Sequence, residues 1–593
     1  MSLQDRTQRA QKCCDASYIT APQRKKREFA AENTCLTERI EPGLFQLIMT
    51  TRGRSRQEGP ASQAASGTCP APVTGGFMSE LLLGIDAGGT MVKVTLFDAA
   101  GEEVACEHRP NRMSFPHPGW TERDPDAMWR GAAEAVKALL GRSGIDPAKI
   151  AAVTPSGYGA GLFLVDGTGA VARPGLGSTD SRALGLIEDW RRSGVAPALS
   201  DAIQQAIWPG QTSALLGWFQ RHEPETLART AHVLPCKDFL RFRLTGDIST
   251  DPTDAGCAGT LDVARGAYAV DALREAGLGA WIPRLPEIGP ATGIAGRVTA
   301  EAAALTGLLA GTPVARGVYD VVGCSLASGL RHTDELGVVA GTFSINSTLH
   351  RTPCLDPRPT LQCPYPVDGL YLATIATPTS ASNLEWLCKT MLQAEAERAL
   401  AAGRSIYEVC SDLVEQALDR ESGAMFLPYL FGGPDGMPGA LVGLTAGASL
   451  ADVLRAVFEG ITLAHRTDID FLLGGARSAR PTRALLAGGP SKSNVWSQMF
   501  ADAIGLPMTV ANGSEFGAKG AAMCGAVAVG LQPDLGTAMT AMTRVARSYR
   551  PDARRSERLA RQHDRYLTMS RRLAGGWAPV PEPAAASFAG APA

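Results

Sequence analysis

The sequence predicts an α/β fold with two related lobes, each built on a mixed β-sheet. A strand–turn–strand pattern at residues 81–97 precedes a third strand, a helix and a fourth strand, and a partial repeat near Leu336 again ends an apolar strand in Gly-Thr. This opening hairpin differs from a doubly wound parallel sheet, which opens on a strand–helix–strand unit. The length of 593 residues suits two large hydrophobic cores.

The elements of the first lobe follow in chain order. Apolar runs predict strands at residues 81–85 and 91–97, and a third strand is expected from Val104, after the turn signal DAAG. Asp124 is a suitable N-cap and Pro125 a suitable first helical residue. In the helix that these residues begin, Trp129, Ala133, Val136 and Leu140 would lie on one apolar face.

Later elements are predicted from the same patterns. Strands are expected at residues 150–153, 336–342, 426–430 and 484–487, and helices at 449–465 and 518–529. Residues 1–77 lack a persistent period and contain a Gly, Ser, Ala and Pro-rich stretch. We therefore expect them to be a disordered extension, or no part of the native protein, with the folded chain beginning at Met78. The basic cluster at 24–27 is interpreted as ordinary solvated charge rather than a targeting signal.

Composition excludes several classes of protein. With 57 Lys and Arg against 59 Asp and Glu, the net charge of -2 gives no reason to expect a nucleic-acid partner. No run of about 18 apolar residues predicts a membrane span. The 13 cysteines show no C-x-x-C spacing, and the first residues lack the apolar core of a secretory signal, so reduced thiols and a cytoplasmic location are expected.

The first chemical motif is DAGGTMVK at residues 86–93. A carboxylate at a strand end followed by two glycines can hold a metal at Asp86 and bring phosphate oxygens close to backbone amides, while Lys93 adds positive charge. Taken alone, an ordinary β-turn with a surface lysine explains the same residues.

Two further motifs suggest chemistry. Asp320 is the lone acid in the apolar sequence GVYDVVG, where a partly desolvated carboxylate suits the acceptance of a hydroxyl proton, although a helix N-cap is the alternative. The Gly-rich turn at residues 488–494 runs into a helix, whose first amides could meet a nucleotide; an ordinary strand-to-helix loop is the alternative. The motifs of P-loop kinases, Rossmann dehydrogenases, zincins and α/β-hydrolases are absent from the sequence.

In combination, these motifs resemble the FGGY carbohydrate kinase family of the actin, hexokinase and Hsp70 superfamily, over residues 78–551. The resemblance is carried by residues 84–98, 118–129, 237–246, 317–323, 426–433, 439–460 and 487–502. It implies two ribonuclease H-like lobes around an ATP and sugar cleft: 78–330, which binds sugar and supplies the base, and 331–551, which binds ATP. A C-terminal helix and flexible tail would occupy 552–593, and a hinge is expected near 325–335.

The resemblance also implies roles for individual residues. Asp320 would be the general base and touch the sugar, and Asp86 would position Mg²⁺. The phosphates of ATP would lie against Gly88, Gly89, Thr90, Lys93, Gly341 and Thr342, and its adenosine against Gly488, Gly489 and Asn494. Trp120 and Tyr158 would contact the sugar, with the indole packing on sugar C–H bonds.

Within the family the sequence is most similar to pentulose kinases such as L-xylulose kinase, which implies transfer of the ATP γ-phosphoryl group to a pentulose hydroxyl. Tyr158 stands where these kinases carry Gln, and Ser213 stands near a family Lys, so the exact sugar is open. Erythritol, glycerol, another ketose, a catalytically silent sugar sensor and a chaperone-like ATPase are the alternatives. A homodimer is also left open.

Overall fold

The computed structural model describes residues 80–574, except residues 368, 421 and 475–479. All described residues belong to one compact unit, Cys69–Ala593. The predicted extension at 1–77, the proposed start at Met78 and the predicted tail after residue 574 lie outside the described residues.

The strands of the described chain are β1 Leu81–Ala87, β2 Met91–Phe97, β3 Glu103–Pro110, β4 Glu122–Arg123, β5 Ile150–Gly157, β6 Phe163–Val165, β7 Gly175–Leu176, β8 His232–Leu234, β9 Ser249–Thr250, β10 Leu261–Asp262, β11 Ala267–Tyr268, β12 Glu287–Ile288, β13 Ile294–Arg297, β14 Pro313–Ala315, β15 Glu335–Ala340, β16 Ser344–His350, β17 Leu361–Tyr365, β18 Leu370–Thr377, β19 Met425–Leu427, β20 Ala440–Val442, β21 Arg483–Gly488, β22 Met508–Ala511 and β23 Val545–Tyr549.

The α-helices of the same residues are α1 Pro125–Ser143, α2 Leu184–Ser193, α3 Val195–Ile203, α4 Thr212–His222, α5 Pro224–Arg229, α6 Cys236–Thr245, α7 Pro252–Cys257, α8 Val270–Glu275, α9 Ala300–Thr306, α10 Asp320–Ser328, α11 Ser382–Met391, α12 Gln393–Ala401, α13 Ile406–Ala417, α14 Leu450–Leu472, α15 Asn494–Ile504, α16 Phe516–Ala528, α17 Leu535–Met542 and α18 Ala553–Ala574.

The first large sheet has six strands in the order β13-β14-β5-β1-β2-β3. Its central strand β1 pairs antiparallel with β2 and parallel with β5. Leu81, Leu83 and Ile85 point into a core shared with α1, whereas Leu82 belongs to a second core shared with α16. Because both faces of the strand are covered, the sequence of β1 is almost continuously apolar rather than alternating.

The second large sheet repeats this arrangement with seven strands in the order β17-β18-β16-β15-β21-β22-β23. Its strand β15 pairs antiparallel with β16 and parallel with β21, as β1 does with β2 and β5. The predicted α/β fold with two mixed sheets is therefore confirmed, including the partial repeat near Leu336.

Element boundaries differ from prediction where local chemistry intervenes. Helix α1 begins at Pro125, with the Asp124 side chain accepting hydrogen bonds from two backbone amides, as predicted. Helix α14 begins at Leu450 with Ser449 as its N-cap, one residue after the predicted start at 449, and continues to Leu472 rather than 465. The strand predicted at 426–430 ends at Leu427, immediately before Pro428, which has no N–H to donate to a sheet.

No helix in the described ranges has the length and hydropathy needed to cross a bilayer.

Candidate active site

A cavity of about 450 Å³ lies where the turn of the β1–β2 hairpin faces the turn of the β15–β16 hairpin. Nine of the predicted site residues line it: Asp86, Gly88, Gly89, Thr90, Lys93, Tyr158, Asp320, Gly341 and Thr342. The other lining residues are Met91, Met113, Gly159, Ser178, Thr179, Trp208, Cys257, Tyr319, Val321, Cys324, Val339, Phe343, Ile345, Thr360, Leu361 and Ala376. Residues distant in sequence therefore meet at one site.

Asp320 is the first residue of α10, and Tyr319 is the N-cap. The alternative that Asp320 is the N-cap is therefore wrong. Oδ1 of Asp320 does accept a hydrogen bond of 2.8 Å from the amide of Val321. Burial raises the pKa of Asp320 from 3.8 to about 8, and the charge of Asp86 adds to the rise while backbone amides oppose it. A carboxyl group with this pKa is suited to exchange a proton near neutral pH.

Asp86 lies at the end of β1 and is enclosed by the start of α16. A Cβ placed on Gly517 would come within 2.3 Å of Oδ2 of Asp86, so only glycine allows this approach. Within the described residues, nothing donates a hydrogen bond to the buried Oδ1 of Asp86. Burial raises the pKa of this carboxyl to about 6, although Lys93 opposes the rise.

Lys93 already has an acidic partner. Its Nζ lies 2.9 Å from Oε2 of Glu515, and its side chain is 43% exposed. Burial disfavours the ammonium form, but the charge and hydrogen bond of Glu515, together with the charge of Asp86, outweigh that effect and raise the pKa of Lys93. Lys93 therefore enters the cavity as one half of an ion pair rather than as a free cation.

The second turn is anchored by neutral groups. The amide of Ala381 donates to the carbonyl of Gly341 at 3.0 Å, and the hydroxyl of Ser382 donates to the carbonyl of Thr342 at 2.8 Å. The amide of Gly341 donates to the carbonyl of Phe343 within the turn, just as the amide of Gly88 donates to Met91 in the first turn. Both glycines therefore use their own amides to close a turn.

Besides Oδ1 of Asp86, two buried polar atoms on the cavity wall lack partners among the described residues: the hydroxyl of Tyr158 and Nε1 of Trp208. Burial raises the pKa of the Tyr158 phenol well above its ordinary value, so this hydroxyl keeps its proton. Sequence reasoning missed Trp208; its only signal was an aromatic residue directly before a Pro-Gly turn. A hydroxylated ligand would satisfy both atoms.

Trp120 does not line the cavity. Its ring packs edge-on against Trp218 at 5.3 Å between centroids, and the guanidinium of Arg182 lies 4.0 Å from its centre. The amide of Thr121 donates to Asp180, which ties this loop to the segment that carries Ser178 and Thr179 to the wall. A direct sugar contact by Trp120 stays a prediction, while the loop it belongs to supports residues that do line the cavity.

The three residues predicted to face adenosine lie outside the 450 Å³ cavity. Gly488 pairs with Ala340 at the end of β21, directly beside Gly341, and Gly489 begins the next turn. Asn494 lines a separate cavity of about 250 Å³, where its Oδ1 accepts hydrogen bonds from Arg547 and Tyr549. Their contact with adenosine stays a prediction.

A divalent cation fits the chemistry of Asp86. The described residues contain no cluster of three or more His, Cys, Asp or Glu that could hold a metal. A single carboxylate with a buried, unpartnered oxygen is nevertheless the kind of ligand that Mg²⁺ uses in phosphoryl transfer, together with waters and phosphate oxygens. The site thus combines an acid suited to a cation, an acid suited to proton acceptance and two turns rich in backbone amides.

Comparison with known proteins agrees with this geometry. Residues 81–327 match the N-terminal domain of the FGGY family of carbohydrate kinases, and residues 336–529 match its C-terminal domain. The L-xylulose/3-keto-L-gulonate kinase of Escherichia coli is 30% identical over 85% of this chain and 99% of its own. The probable L-xylulose kinase of Pasteurella multocida is 33% identical over 74% of this chain and 89% of its own.

A solved structure shows the same fold. The xylulose kinase of Rhodospirillum rubrum superimposes with a TM-score of 0.72, at 27% identity, over 84% of this chain and 99% of that one. Both domain models and near full-length relatives match in the expected order along the sequence. The chain therefore belongs to the FGGY family of carbohydrate kinases, which are sugar phosphotransferases that use ATP.

Proposed function

We propose that this enzyme transfers the γ-phosphoryl group of ATP to a hydroxyl of a pentulose, with L-xylulose as the first candidate. The observation that carries the proposal is the meeting of Asp320 and Asp86, both partly buried, in one cavity between two glycine-rich turns. The two kinases of L-xylulose among the relatives support the choice of sugar.

The chain's own residues divide the work. Asp320 accepts the proton of the sugar hydroxyl. The hydroxyl oxygen then bonds to the γ-phosphorus as the bond between that phosphorus and the ADP oxygen breaks. The amides of Gly89, Thr90 and Thr342 are candidate donors to phosphate oxygens. Tyr158 and Trp208 would supply the two unpartnered donors to sugar oxygens. Asp86 would hold Mg²⁺, which when bound neutralises charge on the phosphates.

The lobe boundaries 78–330, 331–551 and 552–593, the hinge near 325–335, the roles of Gly488, Gly489 and Asn494, a homodimer and a cytoplasmic location stay predictions. A cytoplasmic location is supported by the use of ATP as a substrate. Magnesium dependence is supported by the unpartnered oxygen of Asp86.

The test is ADP release with a panel of pentuloses, tetritols and glycerol, run for the wild type, Asp320→Asn and Asp124→Asn. We expect L-xylulose to give the highest kcat/KM and Asp320→Asn to lower kcat by about 10²- to 10⁴-fold. Asp124→Asn is the matched control, because asparagine also caps helix α1. Full activity in Asp320→Asn, or no sugar-dependent ADP release by the wild type, would refute the proposal.

A further inference from the structure

Arg123 is a buried cation beside the cavity and has no acidic partner among the described residues. It lies in β4, immediately before helix α1, and is 2% exposed. Several other buried basic side chains pair with carboxylates, as Arg182 does with Asp180 and Lys237 with Asp238. No carboxylate of the described chain lies within salt-bridge distance of the Arg123 guanidinium, which is bonded to backbone carbonyls instead. Burying an unpaired charge is costly, so this position calls for a role.

The guanidinium of Arg123 binds the turn of the β1–β2 hairpin, residues 88–90. Nη2 of Arg123 donates to the carbonyl of Gly89 at 2.6 Å, and Nη1 donates to the carbonyl of Asn111 at 3.3 Å. Asn111 completes the grip: its Nδ2 donates to the carbonyl of Gly88 at 2.8 Å, and its amide donates to the carbonyl of Thr90 at 2.7 Å. Arg123 and Asn111 together thus bind all three carbonyls of the turn.

This grip sets the direction of the amides. In a planar trans peptide the carbonyl and the N–H of one unit point in opposite directions. With the carbonyls of Gly88 and Gly89 bound by Asn111 and Arg123, the amides of Gly89 and Thr90 point away from those side chains. Gly89 and Thr90 line the cavity, so their amides are presented as donors for an anion.

The same side chain reaches the acceptor side of the cavity. The guanidinium carbon of Arg123 lies 5.3 Å from the centre of the Tyr158 ring, within cation–π range. The backbone amide of Tyr158 in turn donates to the carbonyl of Ala87, the residue before the turn. Arg123 therefore contacts both the turn and the Tyr158 ring on the cavity wall.

On the basis of the proposed kinase function, we propose that Arg123 is a positioning residue for phosphoryl transfer. Its guanidinium fixes the turn at Gly88–Thr90 so that the amides meet the nucleotide phosphates, and its contact with Tyr158 keeps the sugar pocket in register with that turn. Its unpaired charge also offsets the negative charge that Asp86, Asp320 and the phosphates bring to the cavity.

The experiment measures kcat and both KM values for Arg123→Gln and Arg123→Lys, with ADP affinity by calorimetry. We expect Arg123→Gln to lower kcat about 10- to 100-fold and to weaken ADP binding at least about 5-fold. Arg123→Lys should recover only part of either loss, because a single ammonium cannot replace two guanidinium donors. A double-mutant cycle with Asn111→Ala should be non-additive, since both side chains hold one turn.

Arg455→Gln is the matched control, because Arg455 is equally buried and also donates to two backbone carbonyls, those of Ala417 and Arg420, outside the cavity. It should lower the melting temperature and leave kcat and ADP affinity unchanged. Unchanged kinetics and ADP affinity in Arg123→Gln, or equal losses in Arg455→Gln, would overturn the proposal. ADP binding does not depend on which sugar is phosphorylated, so a wild type that binds ADP without turning over any sugar would count against the proposed function alone.

Discussion

The β1–β2 hairpin and the β15–β16 hairpin approach the same cavity from the two large sheets. Each is antiparallel, each is flanked by a parallel strand, and each ends its first strand beside a glycine. Their registers place chemically different pairs in matching positions. Asp86 pairs with Lys93 in the first hairpin, whereas Val339 pairs with Ile345 in the second.

All four of these side chains line the cavity, so the contrast belongs to the site itself. The first turn is held by a guanidinium and carries ionisable groups, while the second is held by a hydroxyl and a backbone amide. The two hairpins therefore form two different walls of the cavity. The charged wall, with Asp86 and Lys93, is suited to catalysis, whereas the neutral wall, with Val339 and Ile345, supplies shape and amide donors.

The largest effect is expected from neutralising the charged wall at Asp86. Asp86→Asn should lower kcat by about 10²- to 10³-fold, because it removes the carboxylate proposed to hold Mg²⁺ at the phosphates. Steady-state ADP release at saturating sugar measures the effect. The apparent affinity for Mg²⁺ should fall in the same variant.

The matched change on the neutral wall is Val339→Thr, which keeps the shape and adds a hydroxyl. Its kcat should stay within about 3-fold of the wild type, since no charge is altered at that position. Similar losses in Asp86→Asn and Val339→Thr would show that the two walls contribute alike and would end the distinction.

The sequence predicted more of the charged wall than of the neutral one. DAGGT with its lysine and the isolated Asp320 carry chemical signals that survive without a structure, and nine predicted residues do line the cavity. Trp208 and Arg123 were missed because their importance depends on burial and on unpaired atoms, which no local pattern reveals. Trp120 was expected at the sugar from the resemblance of its loop to the family; its ring packs against Arg182 and Trp218, and its contact with sugar stays a prediction.

The next prediction concerns the pH dependence of stability. Burial raises the pKa of Asp320 to about 8, so between about pH 4 and pH 8 the folded protein holds a proton that the unfolded chain has released. Stability must then fall as pH rises through that window. Asp320→Asn removes this loss, so its melting temperature should exceed that of the wild type by several degrees at pH 9 and by less at pH 5.

Asp468, whose hydrogen-bond partners lie on strands of the second sheet, is the acid to compare with Asp320. Its Oδ2 accepts hydrogen bonds from Ser344 and Thr377, and burial raises its pKa to about 6. For Asp468→Asn the gain over the wild type should therefore stop growing near pH 6. Melting curves from pH 5 to pH 9 for both variants distinguish the two windows, and identical profiles would contradict the difference between the two acids.

The smallest effect is expected from the Lys93–Glu515 ion pair, which should weaken the attraction between Lys93 and the nucleotide phosphates. Because Glu515 engages Lys93 at 2.9 Å, a nucleotide phosphate must compete with a carboxylate for the ammonium group. Glu515→Gln should therefore lower the KM for ATP about 3-fold, and Lys93→Met should raise it by a similar factor. Lys389→Met is the control, because Lys389 forms an exposed ion pair with Glu385 on helix α11 and does not line the cavity. A KM for ATP that is unchanged in Lys93→Met would remove Lys93 from the phosphate site and leave the backbone amides and Arg123 to oppose the phosphate charge.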